Sequence, residues 1–220
     1  MTGELMMPTD KSYWLEQVSS AQNNQDLSNV YDHWSQEYDE SVISFGYNPP
    51  AVINGLVGRF VPSNDANILD AGVGTGMVGE LLAILGYTNL VGIDLSLNML
   101  ERARKKQVYQ DLRQMVLGEP LAFTDNEFDA VVSAGTFSAN HAPPESFDEF
   151  VRIVKPQGFI IVAIRVDVAS YIDAIEAQID TLEKEGWCQL VEHSKPFKNI
   201  PLVSETATIK AFVYRVLRDS

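Results

Sequence analysis

A doubly wound α/β fold, in which a parallel sheet is covered on both faces by helices, is what this 220-residue sequence predicts. Two observations carry the expectation. Short apolar runs rich in valine, isoleucine and leucine alternate with amphipathic stretches of helical period. One run, "ILDAGVGTGMVGELL" at 68–82, passes from an apolar strand through a carboxylate and a glycine-rich turn into a helix. A third observation bounds the size. With 45% hydrophobic and 21% charged residues, the chain can bury one sizeable core, so a single domain over 1–220 is expected.

The elements follow in order. "KSYWLEQVSSAQ", "YDHWSQEYDESV" and "PAVINGLVGRF" read as helices with no strand among them, so residues 1–45 are expected to form a helical cap and 46–220 the core. Within "NPP", Asn48 reads as a helix cap ahead of Pro49 and Pro50. "ANILDAG", "LVGIDLS", "RQMVLG", "FDAVVSAGTF" and "GFIIVAIR" read as buried strands. Between them lie helical patterns at 77–85, 97–107 and 145–154, the last entered through "PP" and ended at Pro156. "DN" at 125–126 reads as a turn. A helix over 169–185 stops at Gly186, and "WCQLVEH" and "IKAFVYRVL" then suit a hairpin closing one edge of the sheet.

Composition removes several function classes. No apolar run approaches the roughly 18 residues of a membrane span, and "MTGELMMPTDKSYWLEQ" lacks the blocks of a signal peptide, so no membrane partner and a cytoplasmic location are expected. Cys188 is the only cysteine, which excludes an internal disulfide and a cysteine-based zinc site, and no metal is expected. The formal charge is −14, and "RARKK" at 102–106 is the one basic run, which argues against nucleic acid as a partner. Oligomeric state is not indicated.

The glycine turn admits many nucleotides, since it satisfies both Gly72-x-Gly74-x-Gly76 and the dinucleotide pattern Gly74-x-Gly76-x-x-Gly79. Charge discriminates between them. Ligands of such sheets sit beyond the carboxyl ends of the strands, where Asp70 ends its strand two residues before Gly72. A carboxylate there repels the pyrophosphate of NAD or FAD. It attracts, directly or through water, the ammonium of S-adenosylmethionine, which carries no phosphate. Asp94, ending the next strand in "VGIDLS", is placed to accept from both hydroxyls of a ribose, a demand that both cofactors share.

The chain closely resembles the class I S-adenosylmethionine-dependent methyltransferases. The resemblance runs in motif order through "YDHWSQEYD", "LDAGVGTG", "GIDLSLNMLERA", "LAFTDNEFDAVVSAGTFS" and "RIVKPQGFIIVA". The "YDHW" opening, "LGY" and "GTFSANHAPPESFDEFVRIVKP" are similar to the Williams-Beuren-region methyltransferase-like proteins. The fold so implied is a Rossmann-like, seven-stranded sheet with its last strand antiparallel. Gln157 departs from the pattern, standing in a "KPQG" turn where the family usually has a second glycine.

By the same resemblance Asp70, Gly72, Gly74 and Gly76 contact the cofactor, Asp94 holds the ribose, and Leu95 lies beside the adenine. Met99 packs on the adenine or is a plain core residue. "VLGEPL" falls at the adenine edge, where Glu119 or the backbone around Leu117 and Gly118 serves, and Ala134 and Gly135 lie under the methionyl chain or pack closely. Tyr31, Trp34 and Tyr38, at i, i+3 and i+7, are expected on one helix face, and the family folds this segment over the cofactor, so Tyr31 and Tyr38 are cofactor-binding candidates.

Methyl transfer is an in-line displacement that needs alignment and exclusion of water, with a base only for a protonated acceptor. His141, in "SANHAPPE" after the fourth strand, is the candidate base, with a structural hydrogen bond as its other reading; His33 is expected to point away and His193 to lie on the surface. The expected function is methyl transfer to a small-molecule acceptor. A protein side-chain methyltransferase and a catalytically silent cofactor-binding protein are the alternatives. The cap, the loop over 137–143 and the segment 197–203 are expected to wall a pocket for a small, partly apolar or aromatic acceptor.

Overall fold

The structure is a computed structural model and describes residues 13–217, so the expectations for the first twelve residues lie outside the described residues. Four helices precede the first strand: α1 (Tyr13–Ser20), α2 (Asn24–Trp34), α3 (Tyr38–Ser44) and α4 (Pro49–Phe60). Alternation then holds through β1 (Ile68–Ala71), α5 (Met77–Ile84), β2 (Leu90–Asp94), α6 (Leu97–Lys105), β3 (Asp111–Gln114), β4 (Phe128–Phe137), α7 (Ser146–Ile153) and β5 (Val154–Arg165). The chain continues through α8 (Ala169–Lys184), β6 (Cys188–His193), the two-residue β7 (Phe197–Lys198) and β8 (Thr208–Val216).

The sheet runs β3-β2-β1-β4-β5-β8-β6, with β7 also paired to β8. The five strands from β3 to β5 are mutually parallel, and β8 is antiparallel to both β5 and β6. Chain order therefore reverses between β1 and β4, which opens a crevice beyond their carboxyl ends. Side chains alternate across the strands and build a core on each face. Leu69, Val131, Ile160 and Val162 meet Phe147, Phe150 and Ile179 on one side. Ile68, Val132, Ile161 and Ala163 meet Ile53, Val57, Val78 and Leu82 on the other.

Four local readings are corrected. "YDHWSQEYDESV" is not one helix: α2 begins seven residues earlier, where the Asn23 side chain accepts the Asp26 N–H at 2.9 Å, and a turn separates it from α3. The i, i+3, i+7 face argument thus holds for Tyr31 and Trp34 but not for Tyr38, which opens the next helix. The rings regroup nonetheless, Trp34 and Tyr38 meeting edge to face at 4.6 Å. The third strand ends at Gln114, opposite Asp94, because β2 stops there and leaves "MVLG" no partner beyond the Met115 N–H to Asp94 carbonyl bond. The helix before Pro156 ends at Ile153, and the proline lies within β5. Asn48 takes the N-cap position of α4 without capping it, since its side chain donates to the Lys198 carbonyl instead.

Candidate active site

At the switch between β1 and β4 a cavity opens under the N-terminal helices, where ligands of open parallel sheets bind. The β1–α5 turn forms its floor. The Gly72 and Val73 N–H groups both donate to the Ile93 carbonyl, which pins the turn to β2. Gly72 has φ +76°, and a Cβ there would lie 2.1 Å from Thr136 Oγ1, so the turn and β4 approach too closely for any side chain. Gly74 differs. It lines the cavity, and a Cβ on it would meet nothing within 4 Å, so protein packing leaves that space free.

Asp94 stands beside Gly74. Its Oδ2 accepts the Gly74 N–H at 2.8 Å and its Oδ1 the Ser96 N–H at 2.9 Å, the Leu95 N–H also drawing on the carboxylate, and acceptor capacity remains for a ligand. Burial pushes its pKa up to about 6, against the pull of those N–H groups, with the Asp32 charge adding to the rise. Leu95 and Met99, from the turn and first residues of α6, continue this wall, and Met115, Val116 and Leu117 close its edge.

Asp70 is not on the wall. It is 1% exposed, its Oδ2 accepts the Tyr109 hydroxyl at 2.6 Å, and its Oδ1 has no hydrogen-bond partner among the described residues. Burial raises its pKa to about 7, opposed by the Tyr109 bond and helped by the Asp94 charge. Tyr109 also explains two of the glycines. Its hydroxyl accepts the Gly79 N–H at 3.0 Å, and a Cβ on Gly79 would lie 2.2 Å from that oxygen. A Cβ on Gly76 would meet the same ring at 3.0 Å. The dinucleotide-like spacing therefore accommodates a tyrosine inside the protein, and Gly76 faces Tyr109 and Ala103 instead of the cavity.

The N-terminal helices are bolted to this floor through carboxylates. Asp32 on α2 accepts the Ser96 hydroxyl at 2.5 Å and the Asn98 N–H at 3.1 Å. Asp39 on α3 accepts the Thr75 hydroxyl and pairs with Lys106 at 3.1 Å. Tyr31 and Tyr38 consequently face the cavity, while Trp34 is buried with Val42, Phe45 and Ile200 in a cluster against which both tyrosines also pack. The Tyr38 hydroxyl has no hydrogen-bond partner among the described residues. Tyr47 lies over Gly135 and donates to the Ala134 carbonyl at 3.1 Å.

His141 completes the wall. Its Nδ1 lies 3.1 Å from the Ala139 carbonyl and 3.0 Å from Ser138 Oγ, and its Nε2 lies 2.9 Å from the Tyr31 hydroxyl. A carbonyl only accepts, so in the tautomer in which Nδ1 donates to Ala139, Nε2 presents its lone pair. Burial holds the imidazole below its usual pKa, against the Ala139 bond and with Arg165 assisting, so it is a neutral acceptor at pH 7.

The cavity thus gathers Tyr31, Tyr38, Gly72, Gly74, Asp94, Leu95, Met99, Ala134 and His141 from the sequence candidates. Asp70, Gly76, Gly118 and Glu119 lie off it. Gly118 faces Pro143, where a Cβ would fall 2.3 Å from the ring, and Glu119 is exposed, so of the stretch expected at the adenine edge Leu117 lines the cavity and these two do not. Of the expected acceptor walls, the loop over 137–143 contributes only His141 and Ala142, and the segment 197–203 contributes none, because Ile200 and Val203 support the N-terminal helices. Sequence reasoning missed Tyr109 and the carboxylates Asp32 and Asp39. The Gly76 and Gly79 pair was a usable sign of a large ring packed nearby. His33 and His193 are exposed.

Known proteins agree with the class that this floor and sheet define. Residues 69–162 match a family described as "Methyltransferase domain". The chain belongs to the class I S-adenosylmethionine-dependent methyltransferases, which are enzymes. Within them it is similar to human methyltransferase-like protein 27, 35% identical over 167 residues that span 73% of this chain and 68% of that protein. It is also 30% identical over 129 residues to the mitochondrial ubiquinone biosynthesis O-methyltransferase of Dictyostelium discoideum, over 52% of this chain and 40% of that one. The crystal structure of a TehB-like S-adenosylmethionine-dependent methyltransferase from Corynebacterium glutamicum shares the fold, with a TM-score of 0.58 at 18% identity over 83% of this chain and 97% of that one.

S-adenosyl-L-methionine is accordingly the cofactor, and the residues present fit it. Gly74 leaves an unfilled cradle, Asp94 keeps acceptor capacity beside it, and Asp70 is a buried acid with an orphaned oxygen. Among the described residues no helix is long and apolar enough to cross a membrane.

Proposed function

We propose that this methyltransferase acts on a small-molecule acceptor, with His141 as the base of the site. The observation that carries the reading is the buried imidazole on the cavity wall, held below its usual pKa by burial, with Nδ1 3.1 Å from the Ala139 carbonyl. The cofactor, when bound, supplies an electrophilic methyl on a sulfonium. In this reading Asp94 accepts from the ribose hydroxyls, and Gly72, Gly74 and Ala134 leave room for the methionyl chain. Leu95, Met99 and the run 115–117 hold the adenine. Asp70 acts from behind the glycine turn, through the field of its charge, on the ammonium. Tyr31 and Tyr38 hold the N-terminal helices over the site and exclude water.

A small, partly apolar acceptor is supported by the lining of the cleft, mostly tyrosines, glycines and aliphatic side chains with Asn24, Asp94, Thr136 and His141 as its other polar groups and no lysine or arginine. The Dictyostelium relative, an O-methyltransferase of ubiquinone biosynthesis, agrees with such chemistry. The test is incubation of the enzyme with methyl-labelled S-adenosylmethionine and a cell extract separated into metabolite, protein and nucleic-acid fractions. Label is expected among the metabolites, and label confined to protein or nucleic acid would overturn the reading.

A further inference from the structure

We propose that Tyr31 and His141 accept the proton of a hydroxyl acceptor as one unit: the Tyr31 oxygen takes that proton while His141 Nε2 takes the phenolic proton of Tyr31. The proposal rests on the reading of His141 as the base and adds a second residue and an acceptor class. An imidazole nitrogen has one lone pair, in the ring plane, and at 2.9 Å the Tyr31 hydroxyl occupies it. No acceptor reaches Nε2 without displacing Tyr31. The Tyr31 oxygen, by contrast, keeps its own lone pairs, and no described residue donates to it. Both groups line the cavity, Tyr31 from α2 and His141 from the loop after β4.

The balance closes. The acceptor O–H bond breaks and a new Tyr31 O–H bond forms, while the original Tyr31 O–H bond breaks and an Nε2–H bond forms. The electron pair freed on the acceptor oxygen makes the bond to the methyl carbon, and the pair of the broken carbon–sulfur bond stays on sulfur. One positive charge, on sulfonium before, resides on imidazolium after. Burial raises the Tyr31 pKa well above its usual value, with Tyr38 and Asp94 adding to it, so the phenol does not ionise alone and the two protons move together. An amine or thiolate arriving unprotonated has no use for this pair; a weakly acidic hydroxyl does.

Two measurements test it. In the complex with S-adenosylhomocysteine, nitrogen-15 NMR is expected to show His141 Nε2 unprotonated and hydrogen-bonded, its shift moving toward the free value in Tyr31→Phe. A protonated Nε2, or no change in that variant, overturns the proposal. In the second, label transfer to a series of phenols is followed, from phenol itself to nitrophenols ionised at pH 7. Tyr31→Phe and His141→Ala are each expected to lose about 10²-fold on the weakly acidic members and little on the ionised ones. The double variant should lose no more than either single one. Additive losses, or a loss uniform across the series, overturn the relay. Transfer to amines or thiols but to no phenol also overturns it and leaves the small-molecule reading standing, whereas label found only in protein removes that reading instead.

Discussion

Asp70 and Tyr109 share a 2.6 Å hydrogen bond beneath the glycine turn, and the tyrosine spends its lone pair on the Gly79 N–H while donating to the carboxylate. The acid is thus held at a fixed place with one oxygen unpartnered among the described residues, its pKa raised by burial to about 7.

Cofactor binding should therefore be linked to pH. A bound ammonium favours the ionised form of Asp70, so binding releases a proton, and affinity rises with pH through the region of about 7. Calorimetry of S-adenosylhomocysteine binding between pH 5.5 and 8 is expected to show tightening affinity and proton release in the parent protein. Asp70→Asn should bind more weakly and with a flat profile; an unchanged slope in that variant would remove Asp70 from the linkage.

Stability of the unliganded protein should run the opposite way. Carboxyls whose pKa values rise on folding, Asp70 to about 7 and Asp94 to about 6, bind more protons in the folded than in the unfolded chain. Their contribution is fully present below the unfolded value near 4 and is lost as pH climbs through 6 and 7, on the order of a few kcal/mol in all. His141, depressed by burial, works in the other direction over a narrower range below its ordinary value of about 6.5. Thermal melts are expected to show Tm falling from pH 5 to 8, with a shallower fall in Asp70→Asn.

Asp94→Ala should weaken S-adenosylhomocysteine binding by about 2–3 kcal/mol, the loss of a charge-assisted pair of bonds to the ribose. Part of that loss reflects the Gly74 N–H, which Asp94 also holds. Asp94→Asn, which keeps one acceptor, should lose less. Titration of both variants checks the order, and full affinity in Asp94→Ala would remove the ribose assignment.

Asp32 and Asp39 fasten the N-terminal helices to α6 and to Thr75. Asp32→Ala removes two bonds at the first turn of α6 and is expected to speed proteolytic nicking within 13–45 severalfold, while S-adenosylhomocysteine slows nicking in the parent protein. Equal cleavage rates in parent and variant would show that these bonds do not hold the helices down.

Gln157 has φ +67° in the turn where the family resemblance places a glycine. A left-handed backbone costs a side-chain-bearing residue about 1–2 kcal/mol, so Gln157→Gly should raise Tm by a few degrees, in a melt run at fixed pH.

The sheet was legible because buried parallel strands such as 158–165 announce themselves as unbroken apolar runs, and because Gly72 and Asp94 mark strand ends in any such sheet. Two kinds of feature escaped. The start of α2 and its break from α3 involve side-chain hydrogen bonds, Asp26 N–H to Asn23 at the one and Ser35 to the Asp32 carbonyl at the other, that helical periodicity does not encode. Contacts across long separations escaped as well: Tyr31 meets His141 over 110 positions, and Asp70 meets Tyr109 over 39. That the cavity is lined by 115–117 and not by 118–119 has a simpler cause, since the strand before this run ends where its neighbour ends.

Because the ring of Tyr109 fills the space that a side chain at 79 would need, the two positions cannot vary separately. Any enlargement at 79 must be matched by a reduction at 109, which in turn strips Asp70 of its donor and retunes the acid. In lineages that share this packing, a single exchange between helix and loop is therefore a route by which the charge beneath the glycine turn drifts while every residue touching the cofactor stays the same.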